Sequence, residues 1–158
     1  VIAAIDPIEF KREKAQEFGA THTYSSIGDA MGAINESTWG RGFDKVIMTC
    51  GVGNGDVLGE AFWLGGKRAK IVVTNIHPLM EMTANISLLD LTLSEKQLVG
   101  SLFGSGNPRA DIPKLLGLFR EGQLDLNGLV TREYALEEVN EGYRAMRQGE
   151  NIRGVLVY

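Results

Sequence analysis

Apolar residues along this chain recur with two different spacings, and the switches between them mark out the elements. Val1-Ile2-Ala3-Ala4-Ile5 is an unbroken apolar run stopped by Asp6, which predicts a buried strand. Pro7 follows, and Ile8 to Gly19 then offers Ile8, Phe10, Ala15 and Phe18 for packing while Lys11, Arg12, Glu13 and Lys14 lie mostly in water, so an amphipathic helix capped by Gly19 is expected. Thr21 to Tyr24 is short and β-rich, and Ser25 and Ser26 can cap a weaker helix covering Ala30 to Asn35. Phe43 to Cys50 reads as the next strand, centred on Val46, Ile47 and Met48, and runs into Gly51-Val52-Gly53-Asn54-Gly55. A helix from about Asp56 to Leu64 and a strand from Ala69 to Val73 come next.

The stretch from His77 to Leu91 has four Leu and two Met at irregular spacing and is expected to be loop, with a short helix near Ser94. Leu98 to Phe103 returns to strand before Gly104-Ser105-Gly106-Asn107-Pro108 breaks it. Arg109 to Glu121 carries Ile112, Leu115, Leu116 and Phe119 on one helical face, expected to be buried, and Tyr134 to Gln148 repeats the pattern with Leu136, Val139, Tyr143 and Met146. Ile152 to Tyr158 closes the chain as a strand. Strands alternating with helices argue for an α/β fold, a parallel sheet covered on both faces.

Composition changes this picture mainly by exclusion. With 158 residues the chain has the length of one ordinary domain, and 44% hydrophobic with 23% charged residues leaves no case for disorder. A formal net charge of −4 gives no footprint for nucleic acid or an anionic membrane. No apolar run reaches the roughly 20 residues that span a bilayer, and no signal-like segment opens the chain. The single cysteine, Cys50, cannot form an internal disulfide, which fits a cytoplasmic setting. There is no initiator Met, so Val1 is not expected to be the natural start.

Candidate chemistry begins at Asp6. A carboxylate at the tip of such a strand is placed to accept hydrogen bonds from the ribose hydroxyls of a dinucleotide, and it is equally well placed to cap the helix that follows. If it binds ribose, its charge favours NAD over NADP, and a phosphate-binding glycine turn is expected about 20 residues earlier. The loop Gly51 to Gly55 lies between a strand and a helix as a phosphate cradle would, yet it departs from G-x-G-x-x-G and puts Asp56 where phosphate wants no negative charge; a tight turn beside a cofactor is the alternative. His22, His77 and Cys50 lack metal-ligand spacing, and no serine sits in a G-x-S-x-G elbow. The chain offers a cofactor side with no catalytic or metal-binding residue of its own.

Several segments taken in order resemble one family, the zinc-dependent medium-chain alcohol dehydrogenases, in the C-terminal part that holds the coenzyme domain. They are Asp6-Pro7-Ile8-Glu9-Phe10-Lys11, Lys14-Ala15-Gln16-Glu17-Phe18-Gly19-Ala20-Thr21, Ile71-Val72-Val73-Thr74-Asn75, Gly100-Ser101-Leu102-Phe103-Gly104-Ser105 and Asn151-Ile152-Arg153-Gly154-Val155-Leu156. Within the family the likeness is greatest to the class III and nicotinoprotein-type actinobacterial branches. The resemblance implies a Rossmann-type doubly wound parallel sheet, truncated before its second strand, with residues 152–158 packing toward an absent catalytic domain. It further implies that Asp6 and Lys11 take the adenosine ribose, that Cys50 and Gly51 line the adenosine side, that Val73, Thr74, Asn75, Ser101 and Phe103 hold the nicotinamide, and that Arg153 pairs with the pyrophosphate.

The departures are as informative. The family's Cys and His zinc ligands belong to an N-terminal domain that this chain lacks, as it lacks the structural zinc lobe and the first strand, glycine turn and first helix of the coenzyme domain. In a 3-2-1-4-5-6 sheet strand 1 is central, so the opening strand and the strand at Val46 are expected to have no neighbour between them. The implied function is the NAD-binding portion of an alcohol or aldehyde dehydrogenase, an oxidoreductase inactive in this portion alone, with zinc and substrate held elsewhere and with a dimer formed through the edge at 99–103. Two other classes remain: a non-catalytic nucleotide-binding or dimerisation module, and an S-adenosylmethionine-dependent transferase, whose later strands do not call for Ser101-Leu102-Phe103 or Arg153.

Overall fold

A computed structural model describes residues 1–158, in which seven strands and six helices follow one another, one strand more than the sequence pattern leads one to expect. The elements are β1 (Ala3–Ile5), α1 (Glu9–Glu17), β2 (His22–Tyr24), α2 (Ile27–Ser37), β3 (Phe43–Met48), α3 (Gly55–Leu64), β4 (Gly65–Val73), α4 (Leu88–Leu93), β5 (Gln97–Gly100), α5 (Pro108–Arg120), β6 (Val130–Ala135), α6 (Val139–Gln148) and β7 (Arg153–Val157). Side chains start most of the helices by accepting otherwise unpaired backbone N–H groups: Ser26 for α2, Asn54 for α3, Ser87 for α4 and Asn107 for α5. None of the helices is long and apolar enough to cross a membrane.

Four expectations are corrected. The helix at 134–148 starts only at Val139, because Val130–Ala135 is a strand paired with β7, in which Arg132 and Glu133 are both exposed and the apolar alternation is broken. The short helix near Ser94 is present as α4, but it begins at Leu88, so residues 88–91 are helix and not loop. Phe103 is not in a strand: it begins a single 3₁₀ turn and is 92% exposed. The apolar faces of α5 and α6 stay open, with Ile112, Tyr143 and Met146 all more than half exposed.

All strand pairs are parallel, but they form three sheets. β1 pairs with β2 (Ala3↔His22, Ile5↔Tyr24), β3 with β4 and β5 (Val46↔Ile71↔Leu98, Met48↔Val73↔Gly100), and β6 with β7 through the crossover helix α6 (Tyr134↔Leu156). Two small apolar clusters hold the first two sheets to their helices. Ala30, Ile34 and Leu64 pack with Ile5, Tyr24 and Phe43, while Phe62, Ala69 and Ile71 pack with Leu58, Ile86 and Leu91; Val46 touches both. The third sheet is organised by buried Tyr134, whose hydroxyl accepts from Asn151 Nδ2 at 3.1 Å.

The accessible surface is 11373 Å², against about 7,800 Å² for a typical folded monomer of this mass. The excess, about 3,600 Å², is several times what one partner contributes to a standard interface. Apolar surface that other parts of a larger protein could cover is therefore abundant.

Candidate functional site

A cavity of about 1400 Å³ separates β1 from β3. All of Val1 to Pro7 lines one wall and Phe43 to Cys50 the other, with Val57, Ala61 and Leu64 of α3 between them. β1 has no partner but β2, and β3 none but β4, so each turns an unpaired strand edge to this space. The expected gap between the opening strand and the strand at Val46 is present.

Asp6, Lys11 and Cys50 all line this cavity. Asp6 directly follows β1, held by its own N–H, which donates to the Tyr24 carbonyl at 3.1 Å. One of its carboxylate oxygens accepts from the Ile8 N–H at 2.9 Å, which closes the turn into α1, whose own N-cap, Ile8, makes no side-chain cap hydrogen bond. This bond does not exhaust the group, because the other oxygen makes no hydrogen bond within the chain and remains available at the cavity. Lys11 is half-buried in the first turn of α1, and exposed Cys50 follows β3. Gly51 lies next to Cys50, exposed, and outside the cavity lining.

The second group sits at the carboxyl ends of β4 and β5. The Val73 carbonyl accepts from the Ser101 N–H at 2.9 Å, and Thr74 donates to the Met48 carbonyl from both its N–H (3.2 Å) and its hydroxyl (2.7 Å). These bonds extend the sheet past its last strand residues and fix this rim. Asn75 Oδ1 is buried there without a donor, which is costly for an amide and marks an acceptor that a ligand N–H or O–H could satisfy. Phe103 stands exposed beyond the rim. Arg153 is not brought to either group: it opens β7 in the third sheet and donates to the Ile152 carbonyl at 2.8 Å.

The glycine loop is a packed turn. A Cβ at Gly53 would overlap Asn75 Nδ2, and one at Gly55 would overlap the Thr83 carbonyl, so both positions exclude side chains by close approach. The Gly55 N–H donates to the Glu81 carboxylate at 2.7 Å, leaving that loop donor occupied by the chain's own negative charge. No three His, Cys, Asp or Glu side chains gather within reach of a single metal ion. Sequence reasoning missed Arg12, read as a solvated charge, whose Nη1 donates to the carbonyls of Asp6 and Pro7.

Parallel βα units with an acid at the tip of the opening strand define a dinucleotide-binding type of α/β domain. The chain belongs to the zinc-binding dehydrogenase family, whose family model matches residues 1–121. It is 44% identical over 157 residues to putative alcohol dehydrogenase D of Mycobacterium tuberculosis, covering 99% of this chain and 43% of that protein. Identity is likewise 44% to the NDMA-dependent alcohol dehydrogenase of Amycolatopsis methanolica, over 99% of this chain and 42% of that protein. Among solved structures, the benzyl alcohol dehydrogenase of Acinetobacter calcoaceticus superposes with a TM-score of 0.88 at 30% identity, again over 99% of this chain and 42% of that one. The chain thus corresponds to the C-terminal part of alcohol dehydrogenases and spans less than half the length of these relatives.

Proposed function

We propose that this chain is the NAD-holding part of an alcohol or aldehyde dehydrogenase, with the catalytic zinc and most of the substrate pocket supplied by residues outside it. The observation that carries the reading is the meeting of Asp6, Lys11 and Cys50 around one cavity at the end of β1, with one Asp6 carboxylate oxygen unpaired. That oxygen accepts a ribose hydroxyl, and Lys11 places a cation beside the same sugar. Asn75 Oδ1, buried and without a donor, supports the nicotinamide end of the same reading. Bound NAD would supply the hydride acceptor for alcohol oxidation; the residues described here orient it and restrict its position.

The same reading places a further strand, parallel to its neighbours, between β1 and β3, and packs β7 against the catalytic domain. It pairs the β5 edge with a second copy, for which exposed Leu98 and Val99 are suited, and it keeps the protein in the cytoplasm. Arg153 reaches a pyrophosphate only if the third sheet closes toward the first. Fluorescence titration of the full-length protein with NADH and NADPH tests the cofactor assignment. Tighter binding of NADH is expected, and equal or tighter binding of NADPH overturns the role of Asp6.

A further inference from the structure

Asp6 is held at more points than a residue following a strand requires. Its N–H donates to the Tyr24 carbonyl at 3.1 Å and one carboxylate oxygen accepts from the Ile8 N–H at 2.9 Å. Its carbonyl accepts from Arg12 Nη1 at 2.8 Å, and the same nitrogen donates to the Pro7 carbonyl at 2.9 Å. A guanidinium that fastens two consecutive carbonyls fixes the backbone between them, and hence the direction in which the Asp6 side chain leaves it. The one group of Asp6 without a partner is the second carboxylate oxygen, at the cavity.

Arg12 forms no ion pair with a carboxylate, so its place in α1 is not explained by charge pairing. A planar cation this close to a ribose acid could in principle serve a 2′-phosphate, as an arginine does in NADP-binding folds. Here the inner Nη1 is already spent on two carbonyls, and the approaching phosphate would meet the Asp6 carboxylate.

We propose that Arg12 is a positioning residue: by clamping the Asp6 and Pro7 carbonyls it holds the Asp6 carboxylate toward the ribose and sets how strongly the chain prefers NAD to NADP. The proposal rests on the NAD reading above. Without the clamp the β1–α1 turn keeps its Tyr24 and Ile8 hydrogen bonds but its two carbonyls are no longer fastened, the carboxylate is aimed less tightly, and the cofactor that depends on it suffers more than the one it repels.

Titration of the full-length protein by NADH and NADPH fluorescence, with Arg12→Met, Arg12→Lys, Asp6→Ala and the double variant, tests this. Arg12→Met is expected to weaken NADH binding about tenfold while changing NADPH binding little. Arg12→Lys keeps the charge but not the fork and should recover part of the loss; should Arg12→Met fail to fold, it carries the test alone by a narrowed preference. In the Asp6→Ala background the Arg12 substitution should no longer alter the NADH to NADPH ratio. Unchanged binding of both cofactors, equal weakening of both, or an undiminished effect without Asp6 overturns the proposal. A wild-type protein that does not prefer NADH overturns the NAD reading instead.

Discussion

On one side of β3 the chain closes on itself, and on the other it leaves a gap. Toward β4 the pairs Val46↔Ile71, Ile47↔Val72 and Met48↔Val73 continue into β5, and α3 lays Phe62 over Ala69 and Ile71, all three with no exposure. Toward β1 there is no pairing, and Ile2 and Ile47 are 62% and 61% exposed. The opening strand is nonetheless the more apolar of the two flanks, since β4 carries Lys67, Arg68 and Lys70. Burial therefore follows from which neighbour is present and not from how apolar a strand is. An apolar run announces that it will be covered without saying by what.

The comparison can be broken most forcefully on its closed side. Phe62→Ala in the full-length protein should cost about 4 kcal/mol, because an aromatic ring with no exposure leaves a cavity that its neighbours cannot fill. Urea denaturation measures it, and a loss below about 1 kcal/mol would show that the centre of stability lies elsewhere. A smaller effect sharpens the open side. Ile47→Ala should change the stability of the 158-residue chain by no more than about 0.5 kcal/mol, as for an exposed position, and that of the full-length protein by about 2 kcal/mol. Equal, small losses in both would mean that nothing enters the space between β1 and β3.

The same contrast explains what was legible in the sequence. β1, β3, β4 and α1 to α3 followed from apolar period and capping residues, since each buries at least part of itself within the chain and its pattern records that. The gap beside β1 was also legible, but through the family resemblance and its strand order rather than through any local signal. β6 was missed because Thr131, Arg132 and Glu133 break its alternation and only Tyr134 is buried. The faces of α5 and α6 were correctly seen as amphipathic and wrongly taken as buried, for periodicity is silent about whether a partner exists in the same chain. At the site, Asp6 was open to two roles; in the structure one carboxylate oxygen accepts from the Ile8 N–H, and the other has no partner within the chain. Arg12 was unreadable, because a side chain reaching back to carbonyls five and six residues earlier leaves no periodic trace.

The smallest expected effect concerns an ion pair that belongs wholly to the closed side. Lys96, only 4% exposed, lies 2.7 Å from Asp90, donates to the Phe62 carbonyl at 3.2 Å and sits 4.4 Å over the Phe62 ring. The Lys96 hydrogen bond, and after it the Ser94 hydroxyl, hold the Asp90 carboxyl below the usual carboxylate range. On acidification the unfolded chain then takes up its proton first, so the contribution is complete above about pH 4 and is lost as pH falls through the lower folded value. Urea midpoints of the full-length protein measured from about pH 5 to about pH 3 should fall for this reason among others. Lys96→Met, which keeps the apolar stem over Phe62 but removes the charge, should lower the midpoint at the upper end and flatten the acid-side decline, because Asp90 returns toward its ordinary range. Parallel declines in the two proteins would show that the closed side is held by its apolar contacts alone, and that the pair only fills the space between α3, α4 and β5.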